Sequence, residues 1–127
     1  MNLLYVAIGG AVGSTARYLL ADAINQARAP HAAAGTFAVN MIGCFTFGIL
    51  LAISEHRGAL SSSTRAFLLV GVLGGFTTFS SYAYETFVML RDAQFLHAAL
   101  SAGGQVFLGL ALSVGGTGWC DCCRRSG

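Results

Sequence analysis

The chain has 127 residues, 55% of them hydrophobic and 9% charged, with a mean hydropathy of +0.68. Soluble domains carry about 25% charged residues, so this composition excludes an ordinary water-soluble fold and leaves no length for a soluble catalytic domain. A net charge of +2 without any basic patch gives nucleic acid nothing to bind.

The first apolar stretch predicts a helix over about 3–25. No basic segment precedes it and no small-residue cleavage pattern follows, so it reads as a membrane span and not as a signal peptide. Gly9 and Gly13 form a small-xxx-small pair suited to close helix packing. Arg17 falls about 21 Å along the axis from Leu3 at about 1.5 Å per residue, in the deeper part of the membrane. A charge there is costly. It either supplies positive potential to an anion pathway or caps carbonyls and snorkels to the far interface.

Asn25, Gln26, Arg28 and the single proline, Pro30, make a short loop, and a second helix is expected over about 33–54. Thr36 and Asn40 lie one turn apart on one face. Asn40 serves as an interhelical hydrogen-bonding residue or donates its NH₂ to a passing anion. Cys44 reads as a small buried hydrophobe.

The third helix is expected over about 64–90, N-capped by Ser63 or Thr64. Within it, Gly74-Gly75-Phe76-Thr77-Thr78-Phe79-Ser80-Ser81-Tyr82 interrupts the apolar run near mid-membrane. Hydrocarbon cannot satisfy freed backbone groups, so a break at that depth must be buried in protein or line a wet cavity. The two glycines are expected to supply its backbone freedom. Phe79 and Tyr82, three apart, share a helix face. Their rings have positive edges that can meet a small anion, or they are simply packing aromatics. Glu85 sits at a vestibule mouth or pairs with an arginine. Gly71 and Gly75 form a second small-residue pair.

A fourth helix is expected over about 95–118, with Ser101, Gln105 and Ser113 on one stripe and Gly109 in the gap. The stripe faces a pathway or bonds a neighbouring helix. The tail, 120–127, reads as an unstructured polar segment; Cys120, Cys122 and Cys123 do not match a structural zinc spacing. His31, His56 and His97 are scattered in or near loops and form no site. The architecture is therefore all-α, with four transmembrane helices and the third one broken. Arginines divide four to two between the faces (Arg57, Arg65, Arg124 and Arg125 against Arg28 and Arg91), and lysine is absent. That weak bias permits insertion in both orientations. Four short helices enclose little volume, which points to a homodimer.

Taken in order and at these spacings, the residues resemble the Fluc (CrcB-type) fluoride channels. The resemblance covers nearly the whole chain. It rests on Gly9-Gly10 with Gly13 and Arg17-Tyr18, on Gly35-Thr36-Phe37 with Val39-Asn40 and Gly43, and on Gly74 to Ser80. It implies a dual-topology antiparallel homodimer with two pores between protomers. A structural Na⁺ on the dimer axis would be held by backbone carbonyls of Gly74 and Thr77. Fluoride contacts map onto Asn40, Phe79 and Tyr82, the last standing where phenylalanine is usual. Thr36, Ser80, Gln105 and Ser113 take supporting polar positions, although Gln105 is bulkier than the hydroxyls expected. Arg17 and Glu85 fall in an electropositive vestibule or a structural role.

The implied activity is not enzymatic. It is passive export of F⁻ through a multi-pass protein of the bacterial inner membrane, which protects the cell against fluoride. The competing class is a small proton-coupled cation exporter of four helices. That class needs a membrane-buried carboxylate, for which this chain offers Glu85 and, near a helix end, Asp22.

Overall fold

The computed structural model describes residues 2–27, 33–57 and 60–125, all helical apart from short connections. Helix α1 spans Asn2–Ala27 and α2 spans Ala33–Arg57. The third segment, α3, is composite: an α turn at Ser62–Arg65, a π-helical stretch at Ala66–Leu73, and a final α turn at Gly74–Phe76. Helices α4 (Phe79–Arg91) and α5 (Phe95–Arg125) complete the chain. Among the described residues four spans are long and apolar enough to cross a membrane: Asn2–Ala27, Ala34–Glu55, Ser62–Arg91 and Phe95–Cys123.

The exterior fits lipid. Leu3 is 83% exposed and Phe107 75%, while among the described residues the buried apolar core is Val39, Ala52, Leu73 and Ala98. Such a surface would aggregate in water. The broadest packing surfaces are α2 on α5 and α1 on the π stretch of α3. The second one depends on missing side chains. A Cβ on Gly9 would lie 2.6 Å from the Phe67 carbonyl and 3.0 Å from Gly71 Cα. The two small-residue pairs of the sequence thus meet each other across one interface.

Several expectations about helix ends are corrected. Ser61, not Ser63 or Thr64, caps α3: its backbone is extended and its Oγ accepts the Thr64 N–H at 3.1 Å. Helix α5 does not stop at Gly118 but runs on to Arg125, so the tail through that residue is helical. A glycine costs a helix only about 1 kcal/mol relative to alanine, and no proline follows to end it. The loop residues Arg28, Pro30 and His31 lie outside the described residues, as does the side chain of His56.

The sharpest correction concerns the interruption. Gly74 is helical (φ −63°, ψ −34°), and the residues that leave helical geometry are Thr77 (φ −80°, ψ 152°) and Thr78 (φ −144°, ψ 117°). Two β-branched residues, at home in extended backbone, make the turn. Thr78 then caps α4, its Oγ1 accepting the Ser81 N–H at 3.3 Å. At the far end α4 closes on Ala93 in left-handed geometry (φ 58°). There the Gln94 N–H reaches Met89 O at 2.8 Å and the Ala93 N–H reaches Leu90 O at 3.1 Å. That is the Schellman pattern, with alanine where glycine is usual.

Candidate functional site

Two extended residues between helices leave main-chain groups that need partners. Helix α2 supplies one. Asn40 Oδ1 accepts the Thr78 N–H at 2.9 Å, and its Nδ2 donates to Thr78 O at 3.2 Å. One carboxamide satisfies both polar groups of one peptide residue, as a neighbouring strand would. The same Nδ2 donates to Gln105 Oε1 on α5 at 2.6 Å. Three helical segments are therefore tied together at one point.

This knot opens onto a groove of about 460 Å³ along one side of the chain. Its polar wall is Asn40, Thr77, Thr78, Gln105 and Ser113; Phe79 and Tyr82 stand beside it, and Leu73, Val106 and Phe47 make it apolar elsewhere. The two rings have centroids 5.5 Å apart at 53°, a tilted pair within the range of aromatic contact. Phe79 is 79% exposed, so most of its ring is uncovered by its own chain. Tyr82 is more enclosed, and its hydroxyl donates to Ala102 O on α5 at 3.5 Å.

A second cleft of about 340 Å³ lies on the α1 side, lined by Arg17, Tyr18, Asp22, Asn25, Thr36, Thr78 and Ser81 among others. Thr78 lines both cavities. Arg17 is half-buried in this cleft, and among the described residues no carboxylate or carbonyl pairs with it. Nearby, Thr36 Oγ1 donates to Glu85 Oε1 at 2.5 Å, while Glu85 Oε2 is buried without a partner among the described residues. Glu85 thus makes no ion pair with an arginine among the described residues.

The remaining expected site residues divide. Ser113 donates toward Cys44 O at 3.1 Å and Gly109 O at 3.0 Å, so on the groove wall it also glues α5 to α2. Ser80 is exposed at the start of α4 with its Oγ 3.3 Å from Thr78 Oγ1. Ser101, on the same stripe, lines neither cavity. Among the carbonyls around the break, Gly75 O accepts from Ser14 at 3.5 Å and Thr78 O from Asn40. No hydrogen bond among the described residues reaches Thr77 O, and Gly74 and Thr77 both line the groove. A main-chain carbonyl left without a hydrogen bond suits a hard cation.

Sequence reasoning passed over two residues here. Thr78 carries the backbone that Asn40 holds; the paired threonines were its only signal. Gly43 faces Thr77, whose Cγ2 occupies the space a Cβ would need. Its place one turn after Asn40 was the clue.

Comparison with known proteins supplies a second, independent line. Residues 4–117 match the family described as CrcB-like protein, Camphor Resistance (CrcB). Over 113 residues the chain is 43% identical to the fluoride-specific ion channel FluC of Maridesulfovibrio salexigens, covering 89% of this chain and 90% of that one. It is 45% identical over 116 residues to the FluC of Caulobacter vibrioides, covering 91% of each. The FluC of Thermus thermophilus is 46% identical over 110 residues, covering 87% of each.

Proposed function

This chain belongs to the CrcB-like family, and we propose that it is a fluoride-selective channel of the bacterial plasma membrane, a multi-pass protein that catalyses no reaction. The observation that carries this reading is the groove itself, where carboxamide groups, a helix break and two aromatic rings converge beside an apolar wall. A pore for fluoride must replace the ion's tightly held water with short hydrogen bonds, and charged acceptors make the strongest ones. Positive ring edges add attraction without adding a charge that would trap the ion. Passage is passive: weakly acidic surroundings let HF enter, it ionises in the cytoplasm, and F⁻ leaves down its gradient. The FluC relatives are named as channels and lend nothing to the proton-coupled exporter.

The functional unit in this reading is an antiparallel homodimer. The groove lies open along one side, and Phe79 projects from it with little cover from its own chain. A second copy would close the groove and give each ring a neighbour. The break lies near mid-membrane, where only protein or a wet cavity tolerates it. In the same assembly Gly74 O and Thr77 O from both copies would hold a Na⁺, which supplies charge balance and rigidity at the axis. Thr36, Ser80, Gln105 and Ser113 line or support the ion path, and Arg17 offers positive potential from the neighbouring cleft.

The test is reconstitution. Liposomes loaded with fluoride and carrying the purified protein should release F⁻ rapidly once the membrane potential is clamped, and should retain Cl⁻. Release that follows an imposed proton gradient, or that passes Cl⁻ equally, overturns the channel reading. Replacing Na⁺ by a bulky organic cation on both sides should abolish release if the carbonyl site is required.

A further inference from the structure

We propose that Gln105, not Asn40, presents the unoccupied N–H donor to the anion, and that Asn40 is the positioning residue that holds it ready. The proposal rests on the channel reading above. A carboxamide nitrogen has two N–H groups. Those of Asn40 are both engaged, one by Thr78 O at 3.2 Å and one by Gln105 Oε1 at 2.6 Å. Its oxygen is engaged too, by the Thr78 N–H. Asn40 can therefore meet an ion only by surrendering a bond.

Gln105 is in the opposite condition. The residue is 8% exposed, its Oε1 is held by Asn40, and its Nε2 is buried with no hydrogen-bond partner among the described residues. The orientation of this amide is fixed by its neighbour. Turning it over would set Nε2 against Asn40 Nδ2, two donors face to face. A buried donor left unmet is unfavourable, and the residue lines the same groove as Phe79 and Tyr82. An acceptor that reaches the knot finds one donor waiting, on Gln105. Asn40 then acts through Gln105: its grip on Oε1 aims the NH₂.

The rival account makes Gln105 a mere occupant of Asn40's second N–H, and the two differ in sign. Gln105→Met keeps length and volume but removes donor and acceptor. If Gln105 is the donor, fluoride release from liposomes falls about tenfold or more, the worth of one hydrogen bond to a charged group. The fluoride concentration giving half-maximal release rises by a similar factor. If Gln105 is only an occupant, the freed Asn40 N–H leaves release unchanged or faster, and the proposal is overturned. A fold readout accompanies the flux. Fluoride should raise the thermal midpoint of the detergent-solubilised wild type and leave that of Gln105→Met unmoved; an equal rise in both also overturns it. Should Gln105→Met not fold, Gln105→Glu keeps the oxygen that Asn40 holds and loses the donor, and it must likewise lose the fluoride-dependent rise. Wild-type liposomes that release no fluoride would instead sink the channel reading itself.

Discussion

Asn40→Asp replaces a single nitrogen by oxygen at the centre of the knot, and its cost can be worked from the geometry. The aspartate keeps an oxygen for the Thr78 N–H but loses both donors, leaving Thr78 O and Gln105 Oε1 facing an oxygen. Gln105 is a side chain and can turn its NH₂ toward the new carboxylate. Thr78 O is main chain held between two helices and cannot. One acceptor is left unmet, so the fold should lose about 1–3 kcal/mol, measured as a lowered thermal midpoint in detergent. The effect on flux is larger. A fixed negative charge about 4 Å from the ion path costs about 4 kcal/mol at an effective dielectric of about 20, roughly a thousandfold. Fluoride release from liposomes, followed with a fluoride electrode, should therefore drop to near background in protein that still elutes as a single species. Release within tenfold of wild type would refute the placement of Asn40 beside the ion path.

Thr36→Val removes the donor that serves Glu85 Oε1 at 2.5 Å and leaves both carboxylate oxygens without a partner. The midpoint should fall by the equivalent of about 1–3 kcal/mol, and Thr36→Ser should restore it. Tyr82→Phe deletes only a hydroxyl whose bond to Ala102 O is long, 3.5 Å. Release should stay within about threefold of wild type, since a bond at that distance contributes little; a loss of tenfold or more would mean that the hydroxyl itself meets the ion. Ala93→Gly relieves a left-handed alanine at φ 58°. That strain costs about 1–2 kcal/mol, partly offset by the entropy glycine loses on folding. A stabilisation of about 0.5–1 kcal/mol is expected in thermal unfolding, and an unchanged or lower midpoint would count against the Schellman closure.

Hydropathy made the four spans legible because lipid demands long apolar helices, and nothing else in so short a chain competes. The interruption was legible too, but for a partly wrong reason. Gly74 and Gly75 looked like the hinge, whereas Thr77 and Thr78 make it and Gly75 serves close approach: a Cβ there would lie 2.6 Å from the Gly10 carbonyl. Sequence shows which residues permit an unusual backbone, not where the accumulated geometry spends it. The π stretch at Ala66–Leu73 left no trace, since its residues are ordinary apolar ones and its register is set by packing on α1. The helical continuation to Arg125 was hidden because polar residues after an apolar run resemble a loop. At the site, Asn40 and Gln105 could each be singled out, but their mutual bond joins positions 65 residues apart. Which donor remains spare follows only from that pairing.

In the proposed channel the break would work through peptide groups: the N–H and C=O of Thr78, which Asn40 holds, and the carbonyls of Gly74 and Thr77. Every amino acid except proline carries the same groups, so codon changes at those positions leave them in place. A saturation screen for fluoride-sensitive cells would consequently undercount this region. Its strongest hits should fall on the neighbours that hold the main chain in position, Asn40 and Gly43, and on Thr78, whose hydroxyl caps α4, while Gly74 tolerates exchange better. For a site of this kind, the map of sensitive codons is displaced from the map of contacts.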